Sequence, residues 1–265
     1  MFKKYFFLSA MLLTLLAVFF GCGKAKVPIT MAGSTAFQPF AEKLADQFMQ
    51  AHNNVTITVQ GGGSAVGIQS ANSGAAQIGM ADLVTLPQEA KSLDAIVVAK
   101  DGIAVVVNPK NTVANLTTDQ VRDIFNGKIT NWKELGGLDA PITVVSREAG
   151  SGTRSSFEQI IKDINLKRDA LIQDSNGTIR ETVANDANSV GYISHGLINE
   201  KVKALKIDGQ ESTAESITSG NYKLVRPIFL LVKGQPQGEI KNFIDYILSS
   251  EGQQTIKSNG LLPAK

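Results

Sequence analysis

The chain has 265 residues, 43% hydrophobic and 19% charged, which excludes a disordered polypeptide and leaves room for one or two domains with a sizeable core. Its 26 basic and 24 acidic side chains nearly cancel, and Lys3 and Lys4 of an N-terminal leader account for the surplus. A body in formal balance has no basic field for holding nucleic acid or a polyanionic membrane surface, so any anion site must work by local geometry.

In chain order, the first element is the leader. Lys3 and Lys4 precede an almost wholly apolar run from Tyr5 to Phe20, which ends at Gly21 and Cys22. A run this short with a positive start reads as a secretory signal, because a membrane anchor needs about 20 apolar residues. Val18-Phe19-Phe20-Gly21-Cys22 resembles a bacterial lipobox, with phenylalanine at two positions where aliphatic and small residues are common. Cys22 is the only cysteine, and a thiol without a partner is a liability in an oxidising compartment. The expectation is a lipoprotein signal peptide over residues 1–21, lipidation at Cys22 and a tether over 22–28. A plain signal peptide with a leftover thiol is the alternative. The body is then exported to the periplasm or the outer face of the cell membrane, where acyl chains anchor without spanning.

After residue 27 there is no internal repeat and no low-complexity stretch. "KVPITMAG" predicts a strand, and Phe37, Phe40, Ala41, Leu44, Ala45, Phe48 and Met49 then recur at helical spacing. "NVTITVQ" alternates as a strand and runs into Gly61-Gly62-Gly63-Ser64 and a second helix. "AQIGMAD" is a short apolar strand. "LDAIVVAKDGIAVVVN" predicts two buried strands separated by a turn at Asp101-Gly102. "LTTDQVRDIFNG" predicts a helix with a threonine cap and a C-terminal glycine. "PITVVSR" is a strand, "TIRETVANDAN" a helix, "SVGYISH" and "LVRPIFLLVK" are strands, and "GEIKNFIDYILSSEGQQTIKSNG" is a final helical region. Such alternation implies an α/β fold with a mainly parallel sheet.

Three strand–loop–helix junctions share one composition: Gly33-Ser34-Thr35-Ala36-Phe37, Gly61-Gly62-Gly63-Ser64-Ala65-Val66-Gly67 and Gly150-Ser151-Gly152-Thr153. The first amides of a helix lack partners and carry the positive end of its dipole. Glycine admits a ligand close to the backbone, and serine or threonine adds a donor, so such an end suits a phosphate-like anion. One such loop is an ordinary cap, but three after strands in one chain point to a shared site, since ligands of open α/β sheets lie beyond the carboxyl ends of strands. None carries the Gly-Lys-Ser/Thr ending of a nucleotide-phosphate loop. Arg147, three residues before Gly150, can make a bidentate contact to an oxyanion. Asp82 also closes a strand. Taken alone it reads as a helix cap; beside an anion site it can accept the proton that hydrogen phosphate still carries, whereas sulfate would face it with lone pairs only.

On "AGSTAFQPFAEKLADQF", "VQGGGSAVGIQ", "IGMAD", "LTTDQVRDIFNGKITNWKELGG", "REAGSGTRSSFE" and "LVRPIFLLVKG", nearly all of the exported body resembles the phosphate-binding proteins of bacterial phosphate ABC transporters. That resemblance implies a type II periplasmic-binding-protein fold, an α/β chain whose ligand cleft lies between two lobes joined by two hinge strands. The crossings are expected near residues 102–110 and 222–230, with 29–105 plus 227–265 as the first lobe and 106–226 as the second. The implied phosphate ligands are Thr35 with the backbone after it, Ser64, Asp82, Arg147, Ser151, Gly152 and Thr153, and Ser34 is an addition. Some relatives have phenylalanine where this chain has Ala36, which leaves only the Ala36 amide as a ligand. The resemblance further implies a monomer that closes on inorganic phosphate and docks on transmembrane permease subunits, needing no cofactor.

Two other readings remain open on the residues. An enzyme would need Ser151 as nucleophile with His52 or His195 as base, but "AGSGT" is not a Gly-x-Ser-x-Gly elbow, and both histidines read as surface or packing residues. No His, Cys and Asp cluster has metal-ligand spacing, and Trp132 reads as core. A binding protein for sulfate, molybdate or tungstate would use neutral donors alone, which makes Asp82 the discriminating residue.

Overall fold

The computed structural model describes residues 26–264. The leader and Cys22, with the cleavage and lipidation expected of them, lie outside the described residues. The sheet begins with β1 (Val27–Gly33), which pairs in parallel with β2 (Val55–Gly62) on one side and β3 (Ile78–Ala81) on the other. In β2, buried Val55 and Ile57 alternate with exposed Thr56 and Thr58, the period of a half-covered strand. Between these strands run α1 (Gln38–Ala51) and α2 (Ser64–Ser73). Phe40, Ala41, Leu44, Ala45 and Phe48 form the buried stripe of α1.

The stretch expected as two strands and a turn is one continuous strand, β4 (Leu93–Val107). Asp101 and Gly102 sit in its middle, and Asp101 is fully buried. The aspartate is satisfied by Arg226, its register partner on the antiparallel strand β11 (Val225–Lys233). A Cβ at Gly102 would lie 2.6 Å from the Ile217 side chain, so glycine is there for close packing. An Asp-Gly pair marks a turn only where its polar groups meet water; a distant arginine overrides that here.

Residues 103–107 of β4 continue past β11 and pair with β8 (Ser189–Ser194). Beyond it lie β6 (Thr143–Arg147), parallel to β8, and β7 (Leu171–Gln173), parallel to β6. Strand order is β2-β1-β3-β11-β4-β8-β6-β7. The flanks are parallel, as expected, but the middle is antiparallel where β4 and β11 run between the halves. The two-residue strands β9 (Lys203–Ala204) and β12 (Leu262–Pro263) add to β4, and β5 (Asn115–Leu116) pairs with β10 (Lys206–Ile207).

The hydrophobic core divides along these two long strands. Val98 and Ala99 of β4 with Ile228 and Leu230 of β11 pack against Leu44, Phe48 and Phe243. Ile103, Val105 and Val107 with Leu224 pack against Phe125, Trp132, Phe157 and Tyr192. Both strands therefore leave one lobe and enter the other, between Ala99 and Ile103 and between Leu224 and Ile228. The second lobe is completed by α3 (Thr118–Phe125), α4 (Gly152–Ile161), α5 (Asn176–Asn185) and α6 (Ala214–Thr218). Thr117 and Gln120 form a capping box at the start of α3. The final helical region is two helices, α7 (Gly238–Leu248) and α8 (Ser250–Ser258), because extended Ser249 stops the first and caps the second. Phe243, Ile247 and Ile256 return them to the first core.

Candidate functional site

The starts of α2 and α4, the loop before α1 and the end of β3 meet between the lobes. In the first loop Ser34 is fully buried; its Oγ accepts the Phe37 amide at 3.1 Å, and its own amide donates to Met80 O at 3.0 Å. Ser34 therefore shapes the turn and presents Thr35 and Ala36, whose amides have no acceptor among the described residues. Ser151 plays the same part for α4: its Oγ caps the Arg154 amide at 3.2 Å, and the Gly152 and Thr153 amides that follow are unspent among the described residues. Free amides in the loop before one helix and in the first turn of another are fixed donors that need no reorganisation to receive an anion.

Asp82, 1% exposed, is the acceptor at their meeting point. Ser64 Oγ donates to its Oδ1 at 2.7 Å and accepts its backbone amide at 3.0 Å. Thr153 Oγ1, from the opposite lobe, donates to Oδ2 at 3.1 Å, and Ser156 Oγ donates to the Asp82 carbonyl at 3.1 Å. The backbones also touch: the Ala65 amide donates to Gly150 O at 3.1 Å. Gly152 lies in the tightest place, since a Cβ there would fall 2.1 Å from Ser64 Oγ and 2.6 Å from Asp82 Oδ1. A cavity of about 460 Å³ opens beside these loops, lined from one lobe by Ser64, Ala65 and Ile68 and from the other by Gly150, Ser151 and Gly152.

Arg147 ends β6 and is 1% exposed. Its Nε and Nη2 donate to the two carboxylate oxygens of Glu148 at 2.9 and 2.8 Å, and Nη2 also donates to Asp174 O at 3.1 Å. Its Nη1 is buried with no hydrogen-bond partner among the described residues. Arg180 Nε shares that condition, but on a side chain 27% exposed. The Arg147 amide donates to the Tyr192 hydroxyl at 3.3 Å. Burial pushes that phenol up to about 12, so it stays neutral.

Four residues that shape the site were not singled out by the sequence. Glu148 is the neighbour in the "RE" pair and orients Arg147. Asn176 starts α5 and is 1% exposed; its Nδ2 donates to Thr35 Oγ1 at 3.1 Å and Thr153 Oγ1 at 3.3 Å, linking the lobes. Its Oδ1 accepts the Ser194 amide at 2.9 Å. Arg226 and Asp101 form a charged array with Asp82. Arg226 Nη1 lies 2.5 Å from Asp82 Oδ2, while Nε and Nη2 donate to Asp101 Oδ2 at 3.2 and 2.8 Å. Ser194 Oγ donates to Asp101 Oδ1 at 2.8 Å. Burial raises the Asp101 carboxyl above the ordinary value of 3.8, opposed by the Arg226 charge. The only local signal for Arg226 was one basic residue inside an apolar strand.

Ser64, Asp82 and Thr153 are thus in direct contact, and Thr35 joins them through Asn176. Arg147 is tied instead to Glu148 and Asp174. Two arginines face three carboxylates, so no surplus positive charge is present; an anion would be held by amide dipoles and by Arg147 Nη1. His52 stacks on Phe48 with ring centroids 3.8 Å apart, and His195 hydrogen-bonds Ser212. Among the described residues no cluster of three or more His, Cys, Asp or Glu could hold a metal ion, and no helix is long and apolar enough to cross a membrane.

Known proteins resemble the chain in sequence and in fold. The PBP superfamily domain matches residues 22–251. Phosphate-binding protein PstS of Bacillus subtilis (strain 168) is 36% identical over 245 residues, covering 91% of this chain and 82% of that protein. A substrate-binding protein from Clostridium perfringens, solved with bound phosphate, is 40% identical with a TM-score of 0.86 over 90% of this chain and 100% of that one. An ABC-type phosphate transport receptor from Vibrio cholerae is 36% identical with a TM-score of 0.74, over 88% and 99%.

Proposed function

The chain belongs to the PstS-type phosphate-binding proteins of the PBP superfamily, and from that premise we propose that it binds inorganic phosphate, as hydrogen phosphate, between its lobes for delivery to an ABC permease. The observation that carries the reading is Asp82, a buried acceptor reached by Ser64 from one lobe and Thr153 from the other. A carboxylate offers about four lone-pair sites. Ser64 takes one on Oδ1, and Thr153 and Arg226 take two on Oδ2, so a place on Oδ1 is left among the described residues. The proton of hydrogen phosphate fits that place. Sulfate would set its own lone pairs against it, and a buried mismatch of that kind discriminates strongly.

The phosphate oxygens would be taken by the amides of Thr35, Ala36, Gly152 and Thr153, by Arg147 Nη1, and by the hydroxyls of Thr35, Ser64, Ser151 and Thr153. Ser34 supports the first loop. A hydroxyl has a single proton on a rotor, so Ser64 and Thr153 can turn from Asp82 to the ligand while Asp82 accepts the ligand's proton in exchange. Such a site holds its cargo and releases it unchanged; no role in it calls for a nucleophile or a general base.

The donors divide between a first lobe of residues 29–105 with 227–265 and a second of 106–226, with the core changing over a little upstream on β4, between Ala99 and Ile103. A ligand that needs both sets favours the closed arrangement by its differential contacts. The closed monomer then docks on the permease, held near it by lipidation at Cys22. Calorimetry tests the central claim. Tight phosphate binding, much weaker sulfate binding and relaxed discrimination in Asp82→Asn are expected; equal wild-type affinity for the two anions would sink it.

A further inference from the structure

We propose that Arg226, on the second strand joining the lobes, is a specificity-determining positioning residue that aims the Asp82 carboxylate at the ligand's proton. The inference rests on the phosphate reading above and concerns how the discrimination is built.

Arg226 is 1% exposed and uses its whole guanidinium. Nε and Nη2 are held by Asp101 Oδ2, and Nη1 reaches both Asp82 Oδ2 at 2.5 Å and the Asp82 carbonyl at 3.4 Å. A planar fork held at one end on β4 is a rigid arm at the other. Asp101 is itself fixed by Ser194 and by its register with Arg226 across β4 and β11. With Oδ2 pinned, the carboxylate plane cannot turn, and Oδ1 stays against Ser64 Oγ and Gly152. That is the oxygen with acceptor capacity to spare.

Stability alone is a weak reason for this array. Three ionisable groups are withdrawn from water, and a buried ion pair often holds a fold no better than apolar residues of the same volume. Conformational specificity is the better return, because a carboxylate free to turn can swing its lone pairs away from an unprotonated oxyanion and so penalise it less.

Arg226 touches neither the amides nor Arg147, the groups that phosphate and sulfate would share. Its loss should therefore act on the ratio of the two affinities. The test is calorimetric titration of the full exported body with sodium phosphate and with sodium sulfate. Wild type is measured first: if it fails to discriminate, the phosphate reading fails and not this one. Given discrimination, Arg226→Gln is expected to lower the phosphate-to-sulfate affinity ratio about tenfold or more, mainly through weaker phosphate binding. Equal losses for both anions, leaving the ratio unchanged, would overturn the proposal and make Arg226 a purely structural tie. Should Arg226→Gln fail to fold by circular dichroism, Arg226→Lys is held to the same criterion, since it keeps the charge but has one nitrogen for two carboxylates. A fall in its ratio supports the aiming role, and an unchanged ratio refutes it.

Discussion

Arg147 and Arg226 are both 1% exposed and both bonded to carboxylates, but they differ in their remaining nitrogen. Arg147 gives two nitrogens to Glu148 and leaves Nη1 without a partner among the described residues; Arg226 gives two to Asp101 and spends the third on Asp82. An unsatisfied buried donor costs about 1–3 kcal/mol, a cost that an anion accepting from Arg147 Nη1 would relieve. A saturated guanidinium has nothing to offer a ligand and acts on its neighbours. On the proposed reading two similar side chains divide the labour: Arg147 would grip the anion, and Arg226 would set what kind of anion is gripped.

That contrast can be broken most directly at Arg147. Arg147→Met should weaken phosphate and sulfate together by roughly a hundredfold, the scale of a buried charge-assisted contact. Their ratio should stay near the wild-type value, the opposite signature to Arg226→Gln. Calorimetry with both anions reads it, and a changed ratio would erase the division between the two arginines.

A smaller effect is expected from Gly152→Ala. The added methyl would meet Ser64 Oγ and Asp82 Oδ1, forcing the lobes apart at a cost of about 1–3 kcal/mol. Affinity for both anions should fall about tenfold with the melting temperature little changed. Small-angle scattering should show weaker compaction on adding phosphate. Unaltered compaction would mean that the contact at Gly152 does not limit closure.

The smallest effect concerns His195, beside the Asp101 end of the array. Burial lowers its pKa from 6.5, so below that pH the folded chain binds fewer protons there than the unfolded chain. Its stabilising contribution is present above pH 6.5 and is lost as pH falls through the lower folded value. His195→Gln should flatten the melting temperature against pH below 6.5 by about 2 °C, leaving anion affinity at pH 8 unchanged. A wild-type slope surviving in the variant would place the titrating group elsewhere.

The strand–loop–helix junctions were legible because their chemistry is local: a glycine, a hydroxyl and the unspent amides of a helix start lie within a few residues. The hinge strand was not. Asp101-Gly102 satisfies every short-range rule for a turn, and what overrules those rules lies across the sheet at Arg226, 125 positions away. Arg226 itself stood out only as a charge in "LVRPIFLLVK", which pattern reading assigns to the strand and leaves there. Asn176 escaped for a related reason: an Asn-Gly pair before a helix looks like a turn and cap, and its two threonine contacts come from segments 141 and 23 residues distant. Alternation of segments implied a parallel sheet, and the antiparallel middle followed from strands long enough to serve both lobes.

The missing side chain at residue 152 has one more consequence. Where a methyl group has no room between Ser64, Asp82 and the start of α4, a water molecule has none either, so the two lobes meet dry at that point. A phosphate seated on the Gly152 amide would shed the part of its hydration shell that faced this contact. That part of the cost of capture would be dehydration, and it would be returned when the anion leaves.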